Sequence, residues 1–137
     1  MDSSDARERL TRARVARLAT LTHDGRPHIV PVVFAVDGDT MFFAVDTKPK
    51  ATHDLKRLRN IEANPAVSIL VDHYEDDDWS KLWWVRVDGT ARVIADVAEA
   101  ERGIELLAAK YVQHRRTRPP GPVIAVAIER VSGWSGE

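Results

Sequence analysis

The chain has 137 residues, 44% hydrophobic and 30% charged, with a formal net charge of −1 at pH 7. That length suits one domain, residues 1–137, with a real core, and the near-neutral balance excludes nucleic-acid binding by bulk electrostatics. The absence of cysteine excludes disulfides, thiol catalysis and Cys-ligated zinc or iron–sulfur centres. Met1 to Arg9 contains no apolar secretion-signal core. The longest uncharged apolar run, Ile29 to Val36, is far short of the about 20 residues that cross a bilayer, so a cytoplasmic protein is expected.

In chain order, Asp5-x-x-Glu8 has capping-pair spacing, and Ala6, Leu10 and Ala13 share a helical face, which predicts a helix over 4–14. Residues 17–22 read as a strand, and His23-Asp24-Gly25-Arg26-Pro27 as a turn. His28 to Val36 is a β-branched strand, interrupted by Pro31, which must mark an edge, a bulge or an opening. Asp37-Gly38-Asp39 turns the chain into a strand over 40–45. A cationic turn and short helix follow, ended by Asn64-Pro65, and then a strand over 67–71. After the acidic loop 72–78 comes a long β-prone run over 79–94, with Asp88-Gly89 as its bend or bulge. Asp96 and Glu99 open a second helix whose apolar face is Val97, Ala100, Ile104, Leu107 and Tyr111. That register breaks at Gln113-His114-Arg115-Arg116, and a last strand over 123–131 follows a proline-rich loop. About six strands with short connections predict an antiparallel, closed or nearly closed barrel, mainly β with helices.

The chemistry concentrates in residues 46–60, where Lys48, Lys50, Lys56, Arg57 and Arg59 stand against Asp46 and Asp54. A helix start preceded by lysines is suited to an anion such as a phosphate, and a solvated basic face is the competing reading. No Gly-x-Gly-x-x-Gly, no Gly-Lys-Ser/Thr and no His-Glu-x-x-His occurs. The acidic loop lacks calcium-loop spacing, so no metal site is assigned. His28 opens its strand beside Arg26 and is either ligand-facing or a plain surface histidine; His23, in the turn, reads as exposed. Trp83 and Trp84 point to opposite faces of a strand, so at most one enters the barrel core and the other needs a second surface.

Residues 16–32, Lys48-Pro49-Lys50, the run 64–72, Trp79-Ser80 and the closing Arg130-Val131-Ser132-Gly133-Trp134 together resemble the pyridoxamine 5′-phosphate oxidase-like, flavin-binding split β-barrel proteins. Leu82-Trp83-Trp84-Val85-Arg86 after an Asp-rich loop is most similar to their actinobacterial branch, the oxidoreductases that use the deazaflavin coenzyme F420. The resemblance implies a six-stranded antiparallel split β-barrel and a homodimer with two cofactor sites at its interface. It implies hydride transfer from reduced F420 to a small unsaturated or heteroaromatic substrate, with FMN as the alternative cofactor and a non-catalytic F420 carrier as the alternative role. It assigns the cofactor phosphate to Lys48 and Lys50, flanked by Thr47 and Thr52. The ring goes to the strand of His28, Pro31 and Val32, with Trp79 beside it. Arg57 is a weaker carry-over, and Arg115 or Arg116 is placed near the partner's acidic cofactor tail. No catalytic acid or base is assigned. The chain ends three residues after Trp134, without the C-terminal basic arm of pyridoxamine phosphate oxidase proper, so vitamin oxidation is not expected.

Overall fold

The computed structural model describes residues 1–45, 52–119 and 121–137, with backbone only for 52–55. The first helix, α1 (Ser3–Arg12), is capped by Asp2, whose carboxylate accepts from the Asp5 N–H. The predicted Asp5–Glu8 cap therefore moves one turn toward the N-terminus, although Ala6 and Leu10 are buried as the spacing required. Strand β1 (Ala16–Leu21) and β2 (Pro27–Val32) form the first hairpin, with Gly25 at φ +84° in its turn. The single strand predicted over 28–36 is in fact two, β2 and β3 (Ala35–Asp37), and β3 pairs with β4 (Thr40–Ala44). Then come α2 (Thr52–Ala63), β5 (Ala66–His73), a 3₁₀ turn (Trp79–Lys81) and β6 (Trp83–Val93). Helix α3 (Val97–Lys110), the short α4 (Val112–Arg116) and β7 (Val123–Ser135) complete the described elements.

All seven strands belong to one antiparallel sheet, in the order β2-β1-β5-β6-β7-β4-β3. The predicted count of six is corrected to seven because the run 28–36 breaks after Val32. The strands at the two edges, β2 and β3, are consecutive in the chain and separated only by Val33 and Phe34. Three Cα steps of about 3.8 Å hold those edges within roughly 11 Å of each other at that point. The sheet must therefore roll up, and since β2 and β3 do not pair, the roll is split there. The Phe34 N–H, which sits at the split, donates to the Tyr111 hydroxyl (3.2 Å), and that hydroxyl donates to the Arg14 carbonyl (2.9 Å). Tyr111 thus supplies a partner that no strand provides.

The interior is filled by alternate residues of the strands, among them Leu18, Phe43, Ile69, Val85 and Val126, with Phe34 from the link between β2 and β3, Leu10 from α1 and Ile61 from α2. Phe42, adjacent to Phe43, points to the other face and packs under α3 with Ile94, Ile104 and Val123. Gly103 lets the helix come that close, because a Cβ there would lie 2.8 Å from Phe42. The predicted apolar stripe of α3 holds at Ile104 and Leu107 but not at Val97, which is 75% exposed: the first residue of the helix lies beyond the ground that the stripe covers. Asp96 caps α3 through the Glu99 N–H, as the spacing predicts. The register of β6 on β7 shifts between Asp88 and Gly89, where the bulge was expected. Trp83 packs against the barrel core, while Trp84 lies beside Trp134 on the other face.

The candidate cofactor site at one end of the barrel

The two ends of the barrel differ. Helix α1 runs into β1 at Ala16 and covers one end, where Arg9 lies over the Trp83 ring (5.2 Å to its centroid). Helix α2 covers the end where β1 finishes: the Asn60 amide donates to the Thr20 hydroxyl (3.1 Å), and both residues are buried. His28 is the β2 partner of that same Thr20 and is half-buried. The end of β4 lies here too, since Ala44 pairs with Val123 at the start of β7, Val123 adjoins the last residues of β6, and β6 meets the start of β5. The chain leaves β4 at this end, runs through 46–51, and returns as α2 at Thr52.

Of the residues assigned from sequence, Thr47, Lys48 and Lys50 lie outside the described residues, as does the Thr52 side chain. His28 is at the α2 end, on a strand whose outer edge carries no further strand. In the hairpin register the backbone groups of His28, Val30 and Val32 face β1, so the outer edge presents the Ile29 N–H and C=O and, at Pro31, a C=O alone. Pro31 is exposed and pairs with Arg17, whereas the Val32 side chain turns into the core. The Val32 backbone, like that of His28, faces β1 and not the open edge. Arg57 is buried on the inner face of α2, one turn before Asn60 and Ile61, and does not stand out toward solvent.

Two assignments are not brought to this end within one chain. Trp79 is 66% exposed in the 3₁₀ turn before β6. It lies past the level where His73 pairs with Trp83, which is six residues of β5, about 20 Å, from the level of His28, and on the far side of β1 and β5. Arg115 and Arg116 belong to α4, which leaves from Tyr111 at the α1 end.

Sequence reasoning missed a different group. A cleft of about 520 Å³ between the β1–β2 turn and α2 is lined by His23, Asp24, Arg26, Lys56, Arg59 and Asn60. Among the described residues Asp24 is the only acid in it, and its carboxylate accepts from the Thr22 hydroxyl. That hydrogen bond holds Asp24 below the usual carboxylate range, with His23 and Lys56 adding a smaller pull. The signal in the sequence was Arg26 in the turn and the i, i+3 pair Lys56 and Arg59; what joins them is a long-range packing of helix on hairpin. In the acidic loop, Glu75 meets His73 (3.0 Å) and Lys81 (3.7 Å), and Asp78 caps the 3₁₀ turn. Among the described residues no group of three or more His, Asp or Glu is placed to hold a metal ion. Among them also, no helix is long and apolar enough to cross a membrane.

The arrangement suits an anionic ligand: an edge strand and, adjoining it, a helix with exposed cations. Solved structures share the fold. A FAD-binding protein from Mesorhizobium loti superposes with a TM-score of 0.76 at 24% identity, over 97% of this chain and 94% of that one. The FAD binding protein from Mycobacterium smegmatis gives 0.64 at 20% identity, over 98% and 94%. In sequence, an F420H2-dependent biliverdin reductase from Mycobacterium tuberculosis is 34% identical over 134 residues, 96% of this chain and 87% of the relative. A model described as pyridoxamine 5′-phosphate oxidase matches residues 3–135, nearly the whole barrel and both of its helical ends. By that match and that identity, the chain belongs to the pyridoxamine 5′-phosphate oxidase family.

Proposed function

We propose that this protein is an oxidoreductase that uses reduced coenzyme F420 to reduce a small unsaturated or heteroaromatic acceptor, working as a homodimer. The observation that carries the reading is the 34% identity, over 96% of the chain, to an F420H2-dependent reductase. The relative's acceptor, biliverdin, falls in the unsaturated class. When bound, the reduced deazaflavin supplies the hydride. Lys48 and Lys50, between β4 and α2, hold its phosphate, with Thr47 and Thr52 flanking them. The outer edge of β2 at Ile29, between His28 and Val32, offers backbone groups to the edge of the ring, and the Asn60–Thr20 bond fixes the helix against the neighbouring strand β1. Trp79 reaches a ring only across a dimer interface, because its own β2 is too far away. No side chain is assigned as acid or base, and the balancing proton is drawn from solvent.

The test is direct binding of F420 and of FMN to wild type and to a Lys48→Ala, Lys50→Ala double variant. F420 is expected to bind wild type, and the double variant is expected to lose about 1.5–3 kcal/mol for each charge-assisted bond removed. Unchanged F420 affinity in the variant removes the phosphate assignment. Preference for FMN, with a yellow purified protein, replaces the cofactor. Tight F420 binding with no turnover against a panel of acceptors makes the protein a carrier.

A further inference from the structure

The cations of this chain are unevenly compensated. Along the rest of the surface most arginines meet an acid: Arg7 with Asp39, Arg17 with Asp72, Arg86 with Asp88, Arg92 with Glu99, Arg102 with Asp37 and Arg118 with Glu101. In the cleft between the β1–β2 turn and α2, no salt bridge is formed by Arg26, Lys56 or Arg59 among the described residues. Asp24, the acid beside them, is committed to the Thr22 hydroxyl. In a chain whose charges nearly cancel overall, three neighbouring cations beside the one Asp24 carboxylate leave a local positive excess that an anion would complete.

The shape limits the anion. About 520 Å³ is more space than one phosphate fills, the cleft is open to solvent, and among the described residues its lining has no Phe, Tyr or Trp on which a flat ring could stack. Such a site suits an extended, flexible chain carrying several negative charges. Its position connects it to the cofactor site. Lys56 is four residues into α2, about 6 Å along the helix axis from Thr52, where the Lys48–Lys50 segment ends. Lys56 and Arg59 lie on the outer face of the helix, while Arg57 and Asn60 lie on the buried one.

We propose that Arg26, Lys56 and Arg59 form a subsite for the acidic oligoglutamate tail of F420, on the same chain as the phosphate site. The inference rests on the F420 reading above and specifies it: Arg115 and Arg116, at the α1 end, do not take this role within the protomer. The subsite discriminates F420 from FMN, which has a phosphate and no polycarboxylate tail. It also makes tail binding weaken as salt rises, since the contacts are made at an exposed surface.

The experiment measures dissociation constants by fluorescence titration for F420 bearing several glutamates and for the same coenzyme without glutamates. Wild type is compared with Lys56→Gln, Arg59→Gln and with Arg26→Gln, at low and high salt. These side chains are exposed, so the barrel should fold unchanged. Wild type is expected to prefer the tailed coenzyme. The double variant should lose about tenfold in affinity for it, with a shallower salt dependence and no change for the tail-less form. Equal wild-type affinity for both forms, or equal losses on both in the variants, overturns the subsite and leaves the cofactor reading intact. No wild-type binding of either form overturns the cofactor reading, and the subsite with it.

Discussion

Lys110 shows how a single side chain can oppose the fold that contains it. Its ammonium nitrogen lies 3.9 Å from the centre of the Phe34 ring and 5.3 Å from that of Tyr111, buried and without a hydrogen-bond partner. The ring faces favour the cation, but burial outweighs them and, helped by Arg14, lowers the Lys110 pKa to about 8. The group is depressed in the folded state relative to its ordinary 10.5. Below pH 8 it is protonated in both states and the burial cost is fully present. Between about 8 and 10.5 the folded protein gives up the proton first, so stability rises with pH. Burial raises the neighbouring Tyr111 above 10.0, which keeps its contribution from being lost until pH passes 10. Lys110→Met is therefore expected to stabilise the protein at pH 7 by about 1 kcal/mol, the half-exposed position discounting the full shift. Urea unfolding at pH 7, 8, 9 and 10 checks this, because the advantage of the variant must shrink as pH rises; a constant difference would dismiss it. No sequence pattern identified this lysine. It falls in the last turn of α3, where a basic residue is ordinary, and only the closing of the split around Phe34 buries it.

At the scale of elements, two glycines set distances that no other residue allows, and they differ in what blocks a side chain. At Gly89, in the β6 bulge, a Cβ would lie 2.3 Å from the Ala127 carbonyl oxygen, part of the β7 backbone. At Gly103 it would lie 2.8 Å from a ring carbon of Phe42, a side chain that can tilt. Alanine at 103 also gains about 1 kcal/mol of helix propensity. Gly103→Ala is therefore expected to cost about 1 kcal/mol net, and Gly89→Ala about 3 kcal/mol, since a strand must move. Thermal or urea unfolding ranks them, and a Gly103→Ala loss equal to that of Gly89→Ala would contradict this account. Much of the element order was legible because local signals marked it: Asp-Gly and Asp-Gly-Asp turns, Asn64-Pro65 ending α2, Asp96 capping α3, Asp88-Gly89 marking the bulge. What was not legible came from tertiary structure. Nothing local separates β2 from β3 at Val33, and the break there follows from the sheet rolling onto itself. Asn60 looks like any polar helix residue until Thr20 is found opposite it. Trp79, placed beside the β2 strand by resemblance, lies near the other end of the barrel within its own chain.

For the whole molecule, the outer face of the sheet poses the remaining question. Cross-strand partners align Ile29, Ala19, Ser68, Asp88 and Arg130 in one row and Pro31, Arg17, Leu70, Arg86 and Ser132 in the next. Ile29 is 63% exposed, and Leu70 and Trp134 are exposed as well. The rows are apolar toward β2, and their cations and acids are mixed across β1, β5 and β6, so the surface carries both signs of charge. A face that mixes both signs with exposed apolar side chains can meet a second copy of itself across a two-fold axis, cation to acid and apolar to apolar. This is the surface the proposed homodimer would bury, and it is the contact through which Trp79 of one chain could approach β2 of the other. If so, Ile29→Asp with Leu70→Asp places charges in the apolar part of the interface without touching the barrel interior, since both side chains point outward. The wild type is expected to sediment as a dimer, with an unfolding midpoint that rises with protein concentration. The double variant should sediment as a monomer with the same circular dichroism spectrum and a midpoint independent of concentration. A variant that remains dimeric would move the interface off this face, and a wild type that is monomeric at the concentrations used for cofactor titration would leave each cofactor site to a single chain, with Trp79 outside it.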